Sequence, residues 1–185
     1  MRVMSRRGKE RIFFGVLFLL GFLISASIWP YAGVSFDKGQ THVTSDLMYA
    51  LCIVSGMIAE DKKGVSLEAL ALGAFADFFV APPIHLSPLL FFLAGYLARY
   101  TVGVFSGSNA GVAAVASIPF YLLRSITGGF YLLAADEESF SFAVKSILLP
   151  ELACNVTTAF FVYLIVSFFY KRIVCCRKGG ADIRY

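Results

Sequence analysis

Among the ionisable residues that interrupt apolar stretches of this 185-residue chain are Asp46, Asp77, Arg124 and Glu151. A charge inside hydrocarbon is costly and is kept where it pairs with a group of opposite sign or serves a function. Arg124 is therefore expected to pair with one or more of Asp46, Asp77 and Glu151. Asn155 joins this set. Glu151, Asn155, Thr158 and Val162 are spaced 4, 3 and 4 residues apart, which places them on one helix face. Polar side chains on such a face bond across helices for about 0.6 kcal/mol each. The chemistry open to this group is binding or structural pairing. No HExxH, P-loop or GxSxG pattern accompanies it, and no Cys/His set has zinc spacing. His42 and His85 read as residues of outer loops. Cys52 and Cys154 lie in apolar runs and read as small hydrophobes, and Cys175-Cys176 reads as a pair of reduced thiols in a basic tail. The expectation is a non-enzymatic protein without catalytic residues, cofactor, metal or disulfide framework.

The elements that position these residues follow from composition. Hydrophobic residues make up 58% of the chain and charged residues 15%, with 19 phenylalanines and a mean hydropathy of +0.76. Soluble domains carry about 45–50% apolar and about 25% charged residues, and a globule of this size could not bury the excess. Disorder, collagen and coiled coil are excluded by the same figures. Six segments approach the length of about 20 apolar residues that a bilayer requires. They are 12–31, 43–59, 65–81, 84–105, 110–135 and 150–170. Segment 139–149 is too short to cross and reads as an interfacial helix or an extension of the sixth span, kinked at Pro150. The apolar run after Arg6, Arg7, Lys9 and Arg11 outlasts a signal-peptide core, so the first helix is expected to be retained. The fold class expected is an all-α integral membrane protein, with a transmembrane domain over 1–172 and a tail over 173–185.

Loop charges orient this arrangement. With the N-terminus inside, 13 of the 16 basic residues fall on cytoplasmic segments, leaving Lys38 and Lys145 outside and Arg124 within a span. Both termini are then cytoplasmic. The net charge of +4 is a topology signal, and no nucleic-acid partner is expected. At 1.5 Å per residue, Asp77 lies about 18 Å and Arg124 about 21 Å along spans that start inside. Asp46 and Glu151 open spans that start outside, so all four converge on the outer half. The cluster reads either as a network that fixes helix packing or as an outward-facing pocket for a ligand or a partner's segment. Small residues at four-residue spacing, such as Ala69, Gly73 and Asp77 in the third span or Gly95 and Arg99 in the fourth, suit close helix approach.

Three stretches resemble the bacterial rod shape-determining protein MreD family. The first is Ser45-Asp46-Leu47. The second is Leu72-Gly73-Ala74-Phe75-Ala76-Asp77-Phe78-Phe79, followed by Ala94-Gly95-Tyr96-Leu97-Ala98-Arg99. The third is Leu148-Leu149-Pro150-Glu151 with Asn155, Val162-Tyr163-Leu164 and the basic end Lys171-Arg172. Order and spacing agree over most of residues 10 to 172, with departures at Ser45 and at Ala81-Pro82-Pro83. The resemblance implies a multi-pass protein of the bacterial inner membrane that binds MreC. Through MreC it would be connected to the filament MreB and to the peptidoglycan polymerase and transpeptidase pair. It also implies a bundle similar to the substrate-binding subunits of energy-coupling-factor vitamin transporters. A vitamin-binding subunit of that kind, with its ligand in an outward pocket, is the alternative function.

Overall fold

A computed structural model describes residues 6–27, 34–36, 41–43, 46–80, 86–104, 109–134 and 149–175. Six helices dominate: α1 (Arg6–Ser27), α2 (Leu47–Ile58), α3 (Lys62–Val80), α4 (Ser87–Val104), α5 (Ala110–Ala134) and α6 (Leu149–Tyr170). A short antiparallel hairpin, β1 (Val34–Phe36) with β2 (Thr41–Val43), precedes α2. The architecture is helical as expected, and the hairpin is an addition to it. Val43, expected to open the second span, belongs to β2. The helix begins only at Leu47, because the Asp46 side chain caps it by accepting from the Tyr49 backbone N–H at 2.9 Å.

The other boundaries move for local reasons. Helix α1 takes in the basic run from Arg6 and is described as far as Ser27, so positions 28–31 of the first expected span lie outside the described residues. Helix α3 starts at Lys62 because Asp61 caps it, accepting from the Gly64 N–H at 3.2 Å. Helix α6 continues through a π-helical turn, Lys171–Cys175, past the domain boundary expected at 172. The interfacial segment expected at 139–149 falls outside the described residues except for Leu149, which opens α6. His85 and Cys176 also lie outside them.

Helix α2 is the centre of the bundle. Its residues from Met48 through Met57 are all buried, the pattern of a helix that is apolar all round. It packs against each of the other five helices. Around it α1 packs on α3, α3 on α4, α4 on α5, and α5 on α6. The ring closes where α1 meets the π turn after α6, with Tyr170 stacked on Phe14 and edge-on to Phe13. Backbones approach closely where side chains vanish. A Cβ on Gly56 would stand 2.3 Å from the Gly95 carbonyl oxygen, so α2 and α4 touch through two glycines.

The surface of this ring is apolar. Ile12, Leu19 and Leu20 on α1, Leu67, Phe75 and Phe78 on α3, Leu89 on α4, Val115 on α5, and Phe161, Ile165 and Phe168 on α6 are all exposed. Glu10, Ser55, Ser66, Asp77, Ser117 and Asn155 are polar residues buried within the ring. Among the described residues, one helical stretch, Leu149–Val174, is by length and composition alone long and apolar enough to cross a membrane.

Candidate functional site

The N-terminal end of α2 carries the polar group anticipated from the sequence. At about 1.5 Å per residue its twelve residues extend about 18 Å, whereas α5 with 25 residues extends about 37 Å. The space beyond the short central helix is where Asp46 sits. Arg124, on the fourth turn of α5, forms an ion pair with Asp46 through Nη2 and Oδ2. Asp46 Oδ1 is occupied by the cap bond to Tyr49. The Asp46 backbone N–H donates to Oδ1 of Asn155 on α6 at 2.7 Å. Asn155 is 1% exposed, and the half-buried Glu151 stands one turn earlier on the same face of α6. Three helices therefore meet through one carboxylate, one guanidinium and one amide.

Aromatic rings complete the seat of Arg124. Its Cζ lies 5.0 Å from the centre of the Tyr49 ring and 5.5 Å from that of Phe91, both within cation–π range. The Tyr49 hydroxyl donates to the Phe120 carbonyl at 3.3 Å, which ties the rings to α5. Tyr49 and Phe91 were not among the residues singled out from the sequence. Tyr49 lies three residues after Asp46, so helical spacing could have found it; Phe91 comes from another helix and left no such signal.

Of the five residues expected in the cluster, Asp46, Arg124, Glu151 and Asn155 interact as described. Asp77 is buried on α3, which packs on α4, α1 and α2 but not closely on the α5–α6 pair. It lies one turn past Gly73, where a Cβ would meet the backbone of Ser87 and Pro88 at 2.7 Å, so its helix face is turned to the start of α4.

A second polar group joins the opposite end. Glu10 is fully buried, and its Oε1 accepts from the Glu60 N–H at 2.6 Å and from the Tyr170 hydroxyl at 3.3 Å. Arg11 grips Asp61 through Nε at 3.1 Å and Nη2 at 2.9 Å, and Arg6 meets Glu60 at 2.6 Å. Arg99 donates to the Ala59 carbonyl at 2.6 Å. The Arg11 hydrogen bonds, and then the Gly64 N–H, hold the Asp61 carboxyl below its ordinary value. This clasp joins α1, the α2–α3 turn, α4 and the end of α6. Glu10 is the only acid within the run Arg6-Arg7-Gly8-Lys9-Glu10-Arg11, a signal the basic count obscured.

The described residues contain no group of three or more His, Cys, Asp or Glu side chains placed to hold a metal ion. The arrangement can pair charges and fasten helices, and it presents no nucleophile joined to a base. No protein-family model matches the chain, and no curated protein or solved structure is detectably similar to it.

Proposed function

We propose that this protein is a non-enzymatic, multi-pass scaffold of the bacterial inner membrane, acting in the cell-elongation complex by binding MreC. The observation that carries the reading is the inversion of polarity. Large apolar side chains cover the outside of the helix ring, while Asp46, Arg124 and Asn155 fasten its interior. In lipid, such interior polar bonds supply the specificity that a hydrophobic effect between helices cannot. The skew of basic residues supports an orientation with both termini cytoplasmic. The short α2 is also compatible with a bilayer, since a helix enclosed by protein need not match the hydrocarbon thickness. The family itself rests on the resemblance in the three stretches quoted above.

In this reading the Asp46–Arg124–Asn155 network holds the outer mouth of the bundle rigid, so that a partner meets a preformed surface. Affinity purification of the full chain together with MreC tests it. A stable complex is expected. Recovery of no complex, with a vitamin instead co-purifying at one per chain, would establish the transporter-subunit alternative.

A further inference from the structure

Helices α1 and α3 pack side by side, and a lateral cavity of about 360 Å³ lies between them. On α1 its wall is Gly15, Phe18, Leu19 and Phe22. On α3 it is Glu68, Ala71, Leu72 and Phe75. Both sets recur at i, i+3, i+4 and i+7, so the groove is about two helical turns long and bounded by two helix faces. Phe18 and Leu72 form a buried floor, while Leu19 and Phe75 stand exposed at the rim. At Gly15 the groove is open: a Cβ there would meet nothing within 4 Å. This is the shape that accepts side-chain knobs from a third helix.

One polar group interrupts this apolar wall. Glu68 sits at the end nearest the clasp, and its Oε2 is shielded from solvent with no hydrogen-bond partner among the described residues. A cation it feels, Arg11, is engaged with Asp61 through two nitrogens. A buried carboxylate oxygen left without a donor is costly, and an occupant that supplies one gains accordingly. The clasp lies on the basic, cytoplasmic side of the chain. Membrane helices of either direction carry lysine and arginine at that side. A docking helix thus brings the missing donor to the level of Glu68.

We propose that the α1–α3 groove receives a transmembrane helix of a partner protein, with a lysine or arginine at its cytoplasmic end directed at Glu68. This rests on the membrane placement under Proposed function and not on the family resemblance. It is tested with the full chain in nanodiscs and a fluorescent host helix of leucine and alanine, carrying one lysine near its cytoplasmic end. A second host has methionine at that position. The lysine host is expected to associate about threefold or more tightly than the methionine host. Glu68→Gln should abolish that difference, and Gly15→Leu, which fills open space, should weaken both hosts. Equal binding of the two hosts to the unaltered protein overturns the proposal, as does indifference to Gly15→Leu. So does labelling of Leu19 and Phe75 by a photoactivatable phospholipid that the peptide cannot displace, which would make the groove a lipid site. Release of the chain from membranes by alkaline carbonate would instead overturn the membrane placement itself.

Discussion

The Arg124 guanidinium and the Asp46 carboxylate join the fourth turn of α5 to the first turn of the central helix. Asp46 divides its two oxygens between that ion pair and the cap of α2. Losing either partner therefore affects both helix packing and the start of α2. The Arg124 side chain is 30% exposed and that of Asp46 16%, so the pair falls between surface and fully buried cases. Arg124→Ala is expected to lower stability by about 2 kcal/mol, between the small worth of surface pairs and the cost of breaking buried ones. Thermal unfolding in detergent measures this, and a double-mutant cycle with Asp46→Asn isolates the pair. Additive losses would show that the two side chains are not coupled.

Asn155 should behave as a fastener between α6 and α2. Asn155→Leu removes the acceptor for the Asp46 N–H and strands a part-buried donor, at a cost of about 1 kcal/mol. The substitution preserves much of the volume, so the loss would come from the hydrogen bond. A melting temperature equal to that of the parent protein would refute the bond's contribution.

The glycines separate into two kinds. Gly56→Ala places a Cβ against the Gly95 backbone, which cannot move aside without displacing α4, and should strongly reduce the yield of folded protein. Gly15→Ala meets open space and should stabilise α1 by up to about 1 kcal/mol through helix propensity alone. Size-exclusion profiles and melting curves of the two variants make the comparison. A Gly56→Ala protein as stable as its parent would mean that α2 and α4 do not pack as described.

Acid should weaken the clasp in a defined direction. Asp61 is held below its ordinary value of 3.8, chiefly by Arg11, so the folded state favours its ionised form. Its contribution is complete at neutral pH and is lost as pH falls below that value and through the depressed one. Asp61→Asn keeps an oxygen to cap α3 while removing the charge. The variant should show a shallower decline in melting temperature between about pH 5 and pH 3, the range over which an unperturbed carboxylate protonates. Parallel curves for parent and variant would exclude Asp61 as a source of the acid sensitivity.

Glu10 offers a sharper probe of how the ring closes. Glu10→Ala strands the Glu60 N–H and the Tyr170 hydroxyl together, and should loosen α1 from the end of α6. Faster hydrogen exchange at Glu60 and around Tyr170, with little change near Asp46, is the expected pattern. Uniform acceleration across all helices would instead indicate global destabilisation.

Helical rise and the sign of charge let the sequence place Arg124, Asp46 and Glu151 in one layer, since 1.5 Å per residue converts position into depth. The same arithmetic gives Asp77 that depth, and depth along a helix does not by itself say which neighbours surround a residue. The order of helices around the bundle decides that, and α3 packs beside α4 and α1. Periodicity likewise identified apolar helices, but it could not show that α2 is enclosed on all sides while its neighbours turn apolar faces outward. Nor could it foresee the hairpin before α2, because two strands of three residues are too short to impose a period. The amino-acid sequence by itself determined which residues are polar in an apolar setting and how far along each helix they stand. Only the tertiary structure decided that Asp46 forms an ion pair with Arg124 and that Glu10 closes the ring at Tyr170. It also left Glu68 facing an open groove, because such pairings depend on contacts between residues as much as 160 positions apart.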